Sequence, residues 1–358
     1  IMSHFSVIVL SKTDNIFDIE AMLQPYHEYE CTGTNDQYVQ DIDVTSDFIE
    51  RYLNEQREYA FHPDGRQLSV NDDIFYRELT DEENAGLGPF CSSMFINGKC
   101  ISSKDWNDGK GYRPKIHDIP SPWELKKKSV KDYMSPYTFL MDDDEYSACH
   151  HNEELDIAGA HKWGYALVDE NLNIIKVVNR TNPNYKWDWW EVGGRWKKYF
   201  IGKDGLKYDQ IKRSDCDIEA MIELNASNAA LDYDLYAKIA DGRTSETWEA
   251  VKLKFDNIED SRAFYHEQPV VKDMYKENAF WFNADEFFVN TKEEYVKKKS
   301  VLPAYTILDE NGWHSKGKMG FWGFSDDVVE ESVWWDQCTE KLINLDEEVY
   351  MTIVDCHI

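Results

Sequence analysis

Three residues able to carry protons or bind metals stand near the two ends of this chain: His4, Asp355 and His357. Both ends read as β-strands, and residues two apart on a strand share a face, so Asp355 and His357 point to the same side. A last strand commonly pairs with a first one, which would bring His4 beside them. The grouping predicts a divalent-metal site, or a histidine general base oriented by an aspartate. Alternatively, His4 and His357 only end two strands and bind backbone groups.

A second histidine-rich stretch lies near residue 150. His150 and His151 belong to the run CHHNEE, and His161 follows. Imidazole and carboxylate ligands suit Zn²⁺ or Mn²⁺, so a metal site is one interpretation. The spacing lacks the HExxH pattern and paired CxxC motifs, and an acidic run precedes it, which favours a solvated loop instead.

A tryptophan-rich segment, WDWWEVGGRW, offers a different chemistry. Strand alternation would place Trp187 and Trp189 on one face and most of the aromatic side chains in a core. Gly193 and Gly194 can present adjacent amides to an anion, while Arg195 grips a phosphate or carboxylate with two hydrogen bonds. Together with Trp189 for base stacking, this arrangement predicts a nucleotide site. The alternative is an ordinary glycine turn, with Arg195 paired to a surface acid.

The chain is strongly acidic. Its 68 Asp and Glu residues outnumber its 39 Lys and Arg residues, so the formal net charge is -29. This balance argues against extended nucleic-acid binding, which depends on Lys and Arg releasing counterions from phosphates. Acidic clusters at 81–83, 142–145, 326–331 and 346–348 can instead steer the protein toward a host protein with a basic surface. The alternative is a solvated surface that only maintains solubility.

Composition excludes several protein classes. Hydrophobic residues make up 42% of the chain, which is too many for a disordered acidic tail. The longest strongly apolar run, at 7–10, is far shorter than the ~20 residues that a membrane span needs. Lys12 and Asp14 interrupt any secretory leader. The 7 Cys residues form no CxxC pair, which indicates reduced thiols and a cytoplasmic protein, in the host cytoplasm if a phage encodes it.

Periodicity and turn residues predict mixed secondary structure. We expect helices at 16–23, 46–59, 121–134, 216–240, 258–278 and 327–344, and strands at 4–10 and 349–357. The helix at 121 is inferred from Ser121 and Pro122 followed by Glu124, which is a typical helix start.

The pattern Tyr-x-aliphatic-aliphatic-Asp-Glu-Asn occurs twice, at 165–171 and 305–311. Each copy reads as a strand entering a turn, so we expect two related β-hairpins, at 164–178 and 304–319. The fold is therefore predicted to be α+β, with antiparallel-rich sheets and helices packed on them.

The domain organisation is predicted from the same elements. An N-terminal α/β part at 1–110 would contribute the first strand, and a connector of loop and helix would occupy 111–160. A C-terminal α+β part at 161–358 would contain both hairpins. Alternatively, the whole chain forms one continuous domain.

Six short motifs are spread along most of the chain: SHF at residue 3, KWDW at 186, GGRW at 193, DCDI at 215, GFWG at 320 and DCHI at 355. In these motifs the chain resembles a group of uncharacterised proteins from phages and bacteria. The resemblance implies a viral or mobile-element origin and an ordered α+β fold. It implies no activity, cofactor or site residue.

Two functions fit these features. The first is a phage-type accessory protein that inhibits a host nucleic-acid enzyme or defence system through its acidic, aromatic-rich surface. The second is a metal-dependent or histidine-dependent hydrolase or transferase acting on a nucleotide-like phosphorylated ligand. In the second, the terminal histidines and Asp355 act in catalysis, and the Gly-Gly-Arg corner holds the phosphate. The sequence favours the first, because the charge is observed while the catalytic group depends on an expected strand pairing.

Overall fold

The computed structural model of the protein describes residues 4–28, 36–78, 93–96, 99–102, 115–142, 146–277, 284–319 and 325–358. Its strands are β1 (His4–Ser11), β2 (Gln40–Asp43), β3 (Gln56–Phe61), β4 (Gln67–Ser69), β5 (Tyr76–Glu78), β6 (Ser93–Ile96), β7 (Lys99–Ser102), β8 (Lys115–His117), β9 (Glu124–Ser129), β10 (Ser147–His150), β11 (Gly164–Val168), β12 (Ile174–Thr181), β13 (Trp189–Val192), β14 (Phe200–Ile201), β15 (Lys207–Tyr208), β16 (Gln210–Lys212), β17 (Thr306–Asp309), β18 (Gly312–Ser315), β19 (Gly317–Met319), β20 (Ser325–Asp327) and β21 (Tyr350–His357).

The α-helices are α1 (Ile16–Leu23), α2 (Thr45–Asn54), α3 (Pro136–Asp142), α4 (Ile218–Ala240), α5 (Trp248–Lys252), α6 (Ile258–Glu267), α7 (Pro269–Lys276), α8 (Ala284–Val289), α9 (Lys292–Lys299) and α10 (Glu331–Ile343). Short 3-10 turns occur at Gln24–Tyr26, Asp73–Phe75, Val130–Asp132, Gly194–Trp196 and Arg213–Asp215. With mostly antiparallel sheets and helices packed on them, the fold is α+β, as the sequence predicts.

The chain divides into two compact units. The first combines residues 1–29 with 182–358, and the second is 30–181. Both ends of the chain therefore belong to the first unit. The boundaries expected at 110 and 160 both fall inside the second unit.

The first unit contains a mixed sheet with the strand order β13-β21-β1-β17-β18, in which β16 also pairs with β21. β21 and β1 are antiparallel, from His4 opposite His357 to Ser11 opposite Tyr350. On its other side, β1 pairs in parallel with β17. Both terminal strands are buried along most of their length, which explains their nearly continuous apolar sequences.

Alternate residues of β1 face two different hydrophobic clusters. Ile8 and Leu10 belong to a cluster that includes buried residues of α10. Val7 and Val9 belong to a cluster that includes buried residues of α1. Because side chains alternate along a strand, α1 and α10 cover opposite faces of the sheet.

A group of helices, α4 to α9, lies between β16 and β17 in the chain. The long helix α4 begins after Asp217, whose side chain accepts a hydrogen bond from the Ala220 amide, and ends at Asp241 in the left-handed conformation. Tyr236 of α4 packs with Phe287 and Tyr295 of the later helices. This aromatic cluster holds the helices together.

The second unit contains three separate sheets among its described residues, with the orders β10-β11-β12-β2, β4-β3-β9 and β5-β8-β7-β6. Phe48 and Tyr52 of α2 pack with Phe139 and Leu140 of α3 and with Ala166 of β11. Of the apolar positions of α2 at helical spacing, Phe48, Ile49 and Tyr52 therefore face a core, whereas Leu53 is exposed.

The prediction of a helix at 121–134 is wrong. Glu124–Ser129 forms β9, and the 3-10 turn Val130–Asp132 follows it. β9 pairs with all of β3, so inter-strand backbone hydrogen bonds outweigh the local helix-start signal. The basic run at 126–128 consequently lies on a strand and not on a helix.

Other expected helices differ at their boundaries. α2 ends at Asn54 because the next residues form β3. The single helix expected at 258–278 is divided into α6 and α7, because Pro269 lacks the amide needed to continue the helical hydrogen bonding. α10 begins at Glu331, since Asp327 belongs to β20. The sequence pattern does not predict the helices α3, α5 and α8.

Both copies of the repeated sequence form β-hairpins, as predicted. The strands β11 and β12 are in the second unit, and β17 and β18 are in the first. In each turn an aspartate accepts a hydrogen bond from the amide two residues later, Asp169 from Asn171 and Asp309 from Asn311. The turns differ in length, because β18 starts three residues after Asp309 while β12 starts at Ile174.

Some features of the sequence lie outside the described residues: the acidic residues at 81–83 and 143–145, and the Gly/Trp cluster at 320–323. Among the helices described above, none combines the length and apolar character needed to cross a membrane.

Candidate functional site

The pairing of the first and last strands brings three predicted site residues together. His4 stands directly opposite His357 in the antiparallel pair, and Ser6 stands opposite Asp355. The centres of the His4 and His357 rings are 5.0 Å apart, in an edge-to-face arrangement. The expectation that His4 approaches Asp355 and His357 is confirmed.

A hydrogen bond orients His4. Its Nδ1 atom lies 2.8 Å from Oδ1 of Asp355, whose side chain is 1% exposed. An ionised carboxylate only accepts hydrogen bonds, so Nδ1 carries the proton. In the neutral ring, the lone pair is then on Nε2. This arrangement is suited to a general base or acid that presents Nε2 to a ligand.

A second aspartate binds His357. Nδ1 of His357 lies 2.6 Å from Oδ1 of Asp188, and Asp188 precedes the first residue of β13. The Nε2 atom of His357 is shielded from solvent and has no hydrogen-bond partner among the described residues. His357 therefore contacts His4 through its ring and is anchored by Asp188, while His4 is the better placed of the two to meet a ligand.

The Gly-Gly-Arg corner binds an anion, and that anion is Asp355. The backbone amide of Arg195 donates a hydrogen bond to Oδ2 of Asp355 over 3.0 Å. Gly194 has a φ of 48°, and a Cβ on it would overlap the Asp355 side chain. Gly193 has a φ of 77°, and its amide donates to the Ile353 carbonyl. Gly194 lets the chain approach Asp355 closely, whereas a Cβ on Gly193 would overlap the Asp209 side chain. The corner therefore positions the Asp355 carboxylate instead of cradling an external phosphate.

Trp189 and the Arg195 side chain both remain accessible. Trp189 is 47% exposed, and its ring centre lies 6.2 Å from that of His4. Arg195 is exposed, and its guanidinium forms no ion pair with any carboxylate in the described part of the chain. The interpretation of Arg195 as the partner of a surface acid is therefore not supported.

The expected placement of Trp187 and Trp189 on one face is wrong. Trp187 is buried against α1, where its Nε1 donates to the Leu23 carbonyl, while Trp189 is half-exposed. The reason is that β13 begins only at Trp189, so the regular alternation of a strand does not extend back to Trp187.

Two further ionisable residues lie beside Asp188. His27 forms a bridge with Trp187, and its Nε2 lies 3.2 Å from the Asp188 carbonyl oxygen. Loss of hydration raises the pKa of the adjacent Glu28 above its ordinary value. The negative charge of Asp188 raises this pKa further, while His27 lowers it. Glu28 thus has an increased tendency to hold a proton near the site.

Cys356 does not contribute to the site. It is fully buried on the opposite face of β21 from His357, among the residues that pack against α1. Burial raises the pKa of its thiol well above the ordinary value, and the charges of Asp355 and Asp188 add to this effect. The neutral thiol is a poor nucleophile.

Neither predicted metal site is supported by the geometry. Across the residues that the structure describes, no three His, Cys, Asp or Glu side chains are grouped so that they could hold a metal ion. At the first site, the two oxygens of Asp355 already bind His4 and the Arg195 amide, and Asp188 binds His357. The carboxylate oxygens that would ligate a metal are therefore engaged in hydrogen bonds.

The second histidine-rich stretch does not assemble either. His150 ends β10, His151 is exposed in the following turn, and His161 is buried. Nδ1 of His161 accepts a hydrogen bond from the Asp156 amide at 2.9 Å. This bond gives His161 a structural role in the turn, which agrees with the loop interpretation of the stretch.

Sequence reasoning did not assign a role to Asp188. The sequence signal for such a role is its position between two tryptophans of an aromatic-rich segment, which is unusual for a charged residue. Its partner His357 is 169 residues away, so nothing local identifies the pair.

No protein-family model, no curated protein and no solved structure matches this chain significantly.

Proposed function

We propose that this protein is a hydrolase or transferase that uses His4 as a general acid–base toward a phosphorylated, nucleotide-like ligand. The observation that carries the proposal is the His4–Asp355 hydrogen bond of 2.8 Å, at one end of the neighbouring interior strands β1 and β21. A buried aspartate that fixes one imidazole nitrogen leaves the other nitrogen to exchange a proton with a ligand.

The surroundings of His4 support a ligand of this chemistry. Trp189 offers an exposed aromatic face beside the imidazole, on which a nucleobase can stack. Arg195 offers a guanidinium without a carboxylate partner among the described residues, in a chain with 68 acidic residues. A phosphate is the ligand that such a guanidinium binds best.

His357 acts in this proposal as a positioning residue. Its ring packs edge-on against His4, and Asp188 fixes its orientation. The two histidines therefore restrict each other's rotation, which keeps Nε2 of His4 in one place.

Phosphoester hydrolysis by the His4→Gln variant tests the proposal. We expect the intact protein to hydrolyse one member of a panel of nucleotide phosphoesters, and His4→Gln to lower the rate by about 10²–10⁴-fold, as is typical for loss of a general acid–base. His314→Gln is the matched control, because His314 also pairs with an aspartate, Asp309, on another strand of the same sheet. Equal rates in the two variants would contradict the proposal.

A second candidate function is inhibition of a basic partner protein. Its supporting observation is the net charge of -29, together with exposed acidic residues before and after α10. Part of this charge is already neutralised, since Lys316 pairs with both Asp327 and Glu331, and Lys212 pairs with Glu348.

This candidate predicts a strong salt dependence of binding. Reversal of Asp326, Asp327, Glu330 and Glu331 to Lys should slow association with a basic partner far more than it speeds dissociation. An association rate that does not change with salt would leave the charge as a solubility feature.

A further inference from the structure

A cavity of about 1020 Å³ lies in the first unit, away from His4 and His357. It is lined by residues at the carboxyl ends of β1 and β17, by α1, by Lys341 of α10, and by the segment that leads into β21. Ser11, at this end of β1, is opposite Tyr350, whereas His4 is opposite His357 at the other end. Seven residues of extended strand separate the two places by roughly 23 Å.

The position of the cavity is one at which ligands commonly bind. β1 and β17 are parallel, and the helices α1 and α10 cover opposite faces of their sheet. Beyond the carboxyl ends of parallel strands, helices on the two faces leave a crevice between them. The volume is at the upper end of the range that accommodates a small organic molecule.

The walls of the cavity are mainly apolar. Leu10 and Leu308 are buried at its base, and Met22, Tyr26 and Val349 are partly exposed around it. An apolar ligand body would remove these side chains from water. The ring of Tyr26 can in addition face a positive charge.

The charged residues of the lining determine which ligand is favoured. They are Asp18, Asp309, Glu310, Asp346 and Glu348 on the acidic side, against Lys12 and Lys341 on the basic side. Both lysines are already paired, Lys341 with Asp309 and Lys12 with Glu310. Asp18 and Asp346 form no ion pair with any residue that the structure describes. The cavity therefore has negative charge that a ligand can neutralise.

We infer that this cavity binds a small organic cation, an amine attached to an apolar or aromatic body. The apolar wall packs against the apolar body of the ligand. The ammonium group binds to Asp18, Asp346 and the Tyr26 ring. An anionic ligand of the same shape is repelled. The site is thus opposite in charge preference to the one at His4, and it does not depend on the function proposed there.

The test compares three probes of nearly equal shape: phenethylamine, 2-phenylethanol and phenylacetate. Calorimetry on the full chain should give the lowest Kd for phenethylamine, and phenylacetate should bind more weakly than the alcohol. The double change Asp18→Asn and Asp346→Asn should raise the amine Kd about five-fold or more and leave the alcohol Kd within about two-fold, because only the amine interacts with their charge. Asp336→Asn, at an exposed position of α10, is the control.

A second variant tests the location. Ala21 lies on α1 at the cavity wall and is exposed, so Ala21→Trp should fill the space and weaken all three probes. Ala237 is an exposed alanine of α4, and Ala237→Trp should leave the binding of all three probes unchanged. The His4→Gln variant should bind phenethylamine like the unchanged protein. Absence of saturable amine binding, equal Kd values for amine and acid, or full binding by Ala21→Trp would each overturn the inference.

Discussion

Nδ1 of His4 and Oδ1 of Asp355 lie 2.8 Å apart, although 351 residues separate them in the chain. The contact exists because β1 and β21 are neighbours in one sheet, with Ser6 opposite Asp355. The other oxygen of Asp355 accepts from the Arg195 amide, so three distant segments meet at one carboxylate. This carboxylate orients the imidazole on which the proposed activity depends.

Asp355→Asn should destabilise the protein by about 1–3 kcal/mol, the cost of a buried polar group left without its partner. An amide can offer only one acceptor oxygen, so its NH₂ group would face either the His4 Nδ1–H or the Arg195 N–H. Urea denaturation measures the change. Asp188→Asn is the comparison: its side chain is 42% exposed, so we expect a loss below about 1 kcal/mol. A larger loss of stability for Asp188→Asn than for Asp355→Asn would contradict the expectation that the buried carboxylate contributes more.

Gly194→Ala should destabilise more than Gly205→Ala. Both glycines have positive φ, at 48° and 78°, so both substitutions cost about 1–2 kcal/mol of backbone strain. A Cβ at 194 would also overlap Asp355, whereas one at 205 meets nothing within 4 Å. The steric contact should add about 1–3 kcal/mol for Gly194→Ala alone. Thermal or urea denaturation of the two variants compares them, and equal losses would show that the corner tolerates a side chain.

Asp309 should make the free energy of unfolding depend on pH in the acid range. Burial by itself would raise its pKa, but hydrogen bonds from Lys341, the Asn311 amide and His314 together lower it below the ordinary 3.8. The unfolded chain therefore binds the proton more readily, so the stabilisation is fully present above about pH 4 and is lost as the pH falls through the lowered folded pKa.

The Asp309→Asn variant provides the measurement of this effect. Its free energy of unfolding should be lower than that of the unchanged protein at pH 7, and the two should converge as the pH falls below 3.8. Asp326→Asn, at an exposed residue of β20, serves as the control. A difference that stays constant down to pH 2 would be inconsistent with the ionised role of Asp309.

Trp189→Ala should raise the KM for the nucleotide ligand about ten-fold or more and change kcat much less. Stacking of a base on an aromatic ring contributes about 1–3 kcal/mol to binding, and Trp189 is not placed to exchange protons. Trp163 is exposed to a similar extent, 46% against 47%, and lies in the other unit. Trp163→Ala should therefore leave both constants unchanged. Steady-state kinetics of the two variants measures both constants. A fall in kcat without a rise in KM for Trp189→Ala would contradict the stacking role of Trp189.

Local sequence signals were sufficient for several elements of the fold. The β-branched run of β1, the helix α1 and the capped helix α4 were expected close to where they lie. The repeated Asp-Glu-Asn turns predicted both hairpins, because an Asx turn depends only on residues two apart. Each of these signals involves neighbours along the chain.

The sequence by itself determined the α+β class, the terminal strands and the placement of Asp355 and His357 on one face of the last strand. Only the tertiary structure decided that the Gly-Gly-Arg corner binds Asp355, that Asp188 holds His357, and that 124–129 is a strand. The physical reason is the distance along the chain over which each kind of interaction acts. Propensity and alternation act over a few residues, whereas the partner of a buried carboxylate or of a strand is set by which distant segments share a sheet.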